Sequence, residues 1–461
     1  MHKGGDALTN LRTVKHRQKL LDLKTFGGTT IMKRIRLFLA AALMAALVIS
    51  GAGATAQSEV TFLSTQFNIV EEAAKARTIF EGFTDGKANF VTTEEGPMID
   101  LLKAEGQAGR GANDVIGALH GTFPNLVEGD LLLDMSDLLA EISGSVDVNE
   151  SLVELGKLGT TDFQYYIPWM QATYTMAANV EALQYLPEGA DLNSLTYEQL
   201  AMWAKNMQEA MGSPGLAFPV KGLWNRFMQG YAFPSWTGGM VTGFKTPEAV
   251  AMLTFFRDEL WQYVNPESIN YDFMGARLLS GEAMVVWDHV ARLKPAFDAE
   301  PDKFVAFPAP AGPAGRGYMP VVVGVGIPAT APNPQGAMSF VKYLLNPETQ
   351  GAIMRELGFY PVVSGVDTSD LPAGVAKQFE AVQTQGLAAD AIPSLLPVGL
   401  GARGGEINEI YRNAFSRVIF DGEDPEAVLN DLGAALQTLL NETGARCWAP
   451  DPVSEGACQL K

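Results

Sequence analysis

The sequence predicts an α/β protein built as two lobes, and three observations carry that expectation. After residue 57 the chain opens with a strand–helix–strand–helix–strand order. Buried-strand patterns recur far downstream, at 283–287 and 321–327. About 400 residues remain once a leader is set aside, more than one ordinary core organises.

The elements follow in order. EVTFLS (59–64) reads as a strand, and residues 71–83 place Ala73, Ala76, Ile79, Phe80 and Phe83 at helical spacing. ANFVTT (88–93) is a second strand, 97–107 a short helix, and DVIGAL (114–119) a third strand. That order predicts a mostly parallel sheet with helices on both faces. Ligands of such sheets sit beyond the carboxyl ends of the strands. This nominates Gln66 and Phe67 after the first strand, and His120 and Thr122 after the third. Further on, Thr246 as N-cap, Pro247 at the first position and Glu248 behind it start a helix. Its buried face is Ala249, Leu253, Phe256, Leu260 and Val264. AMVVW (283–287) is a buried strand that ends at Asp288 and His289, and VVVGVGI (321–327) is another. Helices are expected at 335–345, at 347–357 behind Asn346 and Pro347, at 406–420 and at 426–440.

Export is written at the N-terminus. Lys33, Arg34 and Arg36 precede the apolar run 37–49, and Ala54-Thr55-Ala56 has the small-x-small form of a leader-peptidase site. A signal peptide is therefore expected at 32–56, with 1–31 a spurious extension upstream of Met32. Gln57 stands where lipid attachment would need a cysteine. The leader region holds 9 of the 33 Lys and Arg but only 2 of the 52 Asp and Glu, so the remainder carries a net charge of −26. Such a chain is repelled by nucleic acid and by anionic lipid. Only two cysteines occur, Cys447 and Cys458. In an oxidising compartment they are expected to pair and pin the tail, worth about 3 kcal/mol by loop closure. No metal site and no cofactor are expected.

The segment YMPVVVGVGIPATAPNPQGAMSFVKYLLNPETQGAIMRELGFYPVV (318–363) resembles the family 1 extracellular solute-binding proteins, which include maltodextrin-binding proteins. There a strand enters an Ala/Pro-rich turn, followed by a helix with a related ending and then a Gly-aromatic-Pro stretch. Residues 255–287 and 404–432 carry the resemblance further. It implies a two-lobed periplasmic binding protein fold with the ligand cleft at the hinge, lobe I being 57–167 plus 318–360 and lobe II 168–317 plus 361–461. It also implies a monomer in the periplasm that delivers a small carbohydrate to the transmembrane subunits of an ABC importer. The alternatives are a non-sugar solute, such as a polyol phosphate or polyamine, or a secreted carbohydrate-active enzyme. The hinge segment IPWMQATYTMAAN (167–179), which contains Gln171, is more apolar than the family pattern. The loop after the third strand lacks the acidic residue that some maltodextrin binders use.

Sugar recognition needs flat aromatic faces and planar polar groups. KGLWNRF (221–227) offers Trp224, Asn225 and Arg226, FPSWTGG (233–239) Trp236, and VVWDHV (285–290) Trp287, Asp288 and His289. These segments are read as loops, with Trp224 and Trp287 as stacking faces, against the competing reading of ordinary core packing. Trp203 and Trp261 fall in helical patterns and are assigned to the core. Arg403 and Glu406 stand at a helix start that closes the cleft in the family. Two dinucleotide-like glycine patterns, at 324–329 and 399–404, lack the strand–turn–helix–strand context that phosphate binding requires. There is no GxSxG elbow and no HExxH. His120 and His289 are candidates to meet across a cleft with Asp288 nearby, but they serve as well for hydrogen bonding, and no catalytic residue is assigned.

Exported protein is expected to begin at Gln57. Intact-mass measurement of the periplasmic form checks this, and a mass that retains residues 1–56 would refute it.

Overall fold

The computed structural model describes residues 59–461 apart from 128 and 159. The expected leader, the segment 1–31 and the cleavage position before Gln57 lie outside the described residues.

In chain order the strands are β1 (Glu59–Ser64), β2 (Lys87–Thr92), β3 (Val115–Leu119), β4 (Ile167–Ala172), β5 (Tyr174–Asn179), β6 (Leu216–Ala217), β7 (Val285–His289), β8 (Phe304–Phe307), β9 (Arg316–Tyr318), β10 (Val321–Gly326) and β11 (Ala391–Pro393). They form a five-stranded sheet in the order β2-β1-β3-β10-β4, a four-stranded sheet in the order β6-β7-β5-β8, and the small pair β11-β9. The expected two-lobed α/β architecture is present, but the mostly parallel sheets are mixed. β1 runs parallel to β2 and β3, whereas β10 is antiparallel to both β3 and β4. In the second sheet β5 is antiparallel to β7 and β8, and only β6 and β7 are parallel. The reason is topological. A strand that enters a lobe from the hinge runs away from it, while its neighbours run towards it.

Three passages of chain join the lobes. β4 leaves the first sheet at Ala172 and β5 enters the second at Tyr174, so Thr173 alone makes the crossing. Beside it, β9 and β10 are separated by Met319 and Pro320 on the return, and the Thr173 hydroxyl donates to the Met319 carbonyl at 2.9 Å. The third passage follows Tyr360, whose backbone exchanges two hydrogen bonds with Gln171. The first lobe consequently keeps residues 168–172, which the sequence reading gave to the second. It also holds the start of the third passage, where the Asn149 amide donates to Val362 and the Ser364 amide to Asp147.

Of the caps read from the sequence, Thr246 heads its helix without a side-chain cap bond, while Asn346 acts as read. Asn346 caps the helix Pro347–Leu357 by accepting from the Glu348 amide at 2.8 Å, and Gly358 ends it with φ of 70°. Asp424 caps Pro425–Thr443 through the Ala427 amide. The helix Pro247–Phe255 continues through a widened turn at Phe256–Leu260, and its expected inward face, Ala249 to Val264, is buried. No helix among the described residues is long and apolar enough to cross a membrane.

Cys447 and Cys458 are joined in a disulfide. Inside this closed loop the buried Asp451 carboxylate holds a turn of the second lobe. It accepts the amides of Met240, Val241 and Thr242 at 2.7–2.9 Å and the Thr242 hydroxyl at 2.5 Å. Asp451→Ala leaves those amides buried without an acceptor. It is expected to cost roughly 2–4 kcal/mol, read as a fall in the urea midpoint at unchanged slope.

Candidate functional site

A cleft of about 540 Å³ opens between two walls. The first comes from the helix Glu95–Ala108, through Glu95, Asp100 and Lys103, and from the segment after β3, through Gly121, Thr122 and Asn125. The second comes from Arg226, from Leu396, Pro397, Leu400 and Gly401, and from the start of the helix Gly404–Ile419, with Asn408 one turn in. The first wall lies at the carboxyl ends of β2 and β3, where an α/β sheet gathers ligand contacts. Among the described residues the lining contains no aromatic ring.

Thr122 and Arg226 are the nominated residues in the lining, and the Thr122 hydroxyl donates to Glu95 Oε1 at 2.9 Å. Behind the second wall lies a relay of planar side chains. Arg412 Nη2 donates to Asn225 Oδ1 at 2.9 Å. Asn225 Nδ2 donates to Asn408 Oδ1 at 3.0 Å, and Gln229 Nε2 to the same oxygen at 3.1 Å. Asn225 is only 4% exposed. It orients Asn408 rather than facing the cleft.

The structure moves the other nominees elsewhere. The segment 221–239 is not loop but the helices Val220–Phe227 and Phe233–Thr237, joined through a widened turn at Met228–Ala232. Trp224, 2% exposed, is packed among Phe218, Phe227, Trp261 and Phe415, and Trp236 lies against Phe255. Trp287 is fully buried, with Tyr174 stacked on it at 4.9 Å. None of the three presents an open ring face. Gly222, inside a segment read as loop, and Gly230 are sites of close approach. A Cβ at Gly222 would lie 2.2 Å from the Asp272 carbonyl oxygen, and one at Gly230 2.6 Å from Met319. Pro234 follows the widened turn, where the regular helix ladder is already interrupted. Trp203 is core as expected, and Trp261 packs partly buried against the same cluster.

Phe67 is buried, edge-on to Phe359 and Trp169, with φ of 62°. Gln66 beside it bonds locally to Ser64 and Thr65. Gln171 lines a different groove, at the hinge, and donates to the Pro361 carbonyl. Arg403 pairs with Glu406 and Glu442 on the exposed rim, outside the lining. His120 and His289 do not form a pair. His120 Nδ1 lies 2.7 Å from the Tyr166 hydroxyl, while His289 Nδ1 accepts from the Ala291 amide. Asp288 is buried and accepts from the Met274 and His289 amides; burial pushes its carboxyl up to about 7. Arg226, offered by the sequence, does line the cleft, whereas Asn408 escaped the sequence reading. The available sign was the i, i+4 spacing of Asn225 with Gln229 and of Asn408 with Arg412.

The family of bacterial extracellular solute-binding proteins matches residues 63–351. Among solved structures, a maltose-bound T. maritima MalE3 aligns with TM-score 0.66 at 17% identity, over 83% of this chain and 100% of that one. The GacH receptor of Streptomyces glaucescens, described unliganded and with acarbose, gives 0.65 at 19% identity over 83% and 98%. UgpB from Mycobacterium tuberculosis, in complex with glycerophosphocholine, gives 0.65 at 18% over 84% and 99%.

His120 yields a pH test. Burial lowers its imidazole to about 4, whereas an unfolded imidazole takes up its proton near pH 6.5. Acid therefore favours the unfolded chain, and stability falls as pH drops from about 6.5 towards about 4, by about 1.4 kcal/mol per unit. Urea titrations at pH 7 and pH 5 are expected to show wild type losing roughly 2 kcal/mol more than His120→Gln. Equal losses would mean that the buried imidazole does not set this dependence.

Proposed function

This chain belongs to the bacterial extracellular solute-binding proteins, and from that premise we propose that it is the periplasmic solute-binding component of an ABC importer, taking a small carbohydrate into its cleft. The observation that carries the reading is a cleft with one wall from each side of the three hinge passages. A solute that touches both walls is bound best when they approach, so binding and hinge closure are one equilibrium. Thr122, Glu95 and Asn125 contact it from the first lobe, Arg226 and Asn408 from the second. The closed monomer then docks on the transmembrane subunits of the importer, and ATP is hydrolysed elsewhere. Similar folds that hold maltose and acarbose support the carbohydrate reading. No aromatic ring among the described residues lines the cleft, so polar contacts carry recognition here instead of stacking.

Thermal-shift screening of mono- and oligosaccharides, paired with small-angle scattering, tests this. A bound sugar at a hundred times its Kd is expected to add about 2.7 kcal/mol of stability and to reduce the radius of gyration. Turnover of the sugar would point to an enzyme instead. Binding with no change in radius would remove the closure mechanism.

A further inference from the structure

We infer that the solute carries an acidic group, a carboxylate or a phosphate, and that Arg226 and Asn408 of the second wall hold it. The inference rests on the cleft being the solute site and goes on to name the chemistry of one end of the solute.

Hydrogen-bond direction carries the argument. A guanidinium only donates, so the Asn225 atom that faces Arg412 must be its oxygen. The Asn225 amide nitrogen then faces Asn408, so the inward atom of Asn408 is its oxygen, which also receives Gln229. With that oxygen occupied from behind, the Asn408 –NH2 is the group left for the cleft. Its orientation is fixed by Arg412 two residues down the relay and is not a free choice of rotamer. Arg226, in the same wall, forms no hydrogen bond or ion pair with any described residue. Arg403, Arg412 and Arg417 are engaged, and Arg77, Arg110 and Arg446, which like Arg226 have no such partner among the described residues, are exposed whereas Arg226 is half-buried. The wall's polar side chains therefore donate and do not accept.

A neutral hydroxyl matches these two side chains less well, because neither Arg226 nor Asn408 offers its proton an acceptor. An anionic oxygen brings only lone pairs, and a carboxylate or phosphate can take the guanidinium fork through two oxygens. The opposite wall carries Glu95, Asp100 and Lys103, which are exposed and screened by solvent. Glu95 also takes the Thr122 hydroxyl, and this wall suits the hydroxylated body of the solute. The two walls thus read opposite ends of an asymmetric molecule.

Calorimetry with D-glucuronate and D-glucose 6-phosphate, against D-glucose and maltose, decides the matter. At least one acidic member should bind tenfold or more tighter than the neutral sugars, with the preference shrinking as salt rises. Arg226→Gln should erase the preference and Arg226→Lys retain part of it. Asn408→Asp keeps the inward oxygen for Asn225 and Gln229 but turns an acceptor to the cleft, so it should also abolish acid binding in a protein of unchanged melting temperature. Neutral sugars binding as tightly as acidic ones, or a preference that survives in both Arg226→Gln and Asn408→Asp, would overturn the acidic group and leave the carbohydrate site standing. A panel in which no member binds would overturn both.

Discussion

The structure turns on the place where two strands pass between sheets side by side. Thr173 is the single residue between β4 and β5, and its hydroxyl is bonded to Met319 on the returning passage. Tyr231 supplies a second tie, with its hydroxyl 3.1 Å from that of Thr173 and donating to the Tyr174 carbonyl at 2.8 Å. Everything on the second lobe hangs from this point. Because β5 enters there, it becomes the central strand between β7 and β8, and the sheet cannot be parallel. The same constraint makes the segment 167–179 apolar. A strand that ends one core and begins another is covered almost throughout, so it reads as a continuous hydrophobic run. What looked like a departure from a polar family pattern is the cost of crossing between two cores in one residue.

The first lobe was legible because its signals are local. Strands of period two, helices with proper caps and the order in which they alternate need no knowledge of distant contacts, and β1 to β3 lie within one or two residues of their expected bounds. The tryptophan segments were misread for the opposite reason. Gly222, Gly230 and Pro234 are loop residues by composition, yet each is set by a tertiary fact: the Asp272 carbonyl, the Met319 side chain and a widened helical turn. Glycine has two uses, conformational freedom and the absence of a Cβ, and a lone sequence does not say which is in force. Here it is the second, and it converts apparently exposed tryptophans into the packing of the second lobe.

The candidate site was legible in position but not in membership. Reading the carboxyl ends of strands led to Thr122, which does line the cleft. It led equally to Phe67 and His120, which occupy the same sheet edge but face into packed surroundings. Strand ends give a location, and only packing separates the side chains that look outward. Asn225 shows the distinction most clearly. It was nominated as a ligand group and lies one hydrogen bond behind Asn408, which lines the cleft.

That one-bond displacement is also what gives the cleft its direction. Amide side chains are ambiguous by themselves, since each offers a donor and an acceptor that exchange by a flip. The ambiguity ends when a chain of amides terminates on a group with a single role. Arg412 is such a terminus, held from its other nitrogen by the Lys221 carbonyl, so it is not free to turn away. Polarity then passes outward through Asn225 to Asn408 without any further choice. Arg77, Arg110 and Arg446 also lack an ion pair among the described residues but are exposed to solvent, whereas Arg226 is half-buried in the cleft wall. Leaving Arg226 without one, beside an amide locked as a donor, is an arrangement that a solute with its own negative charge completes.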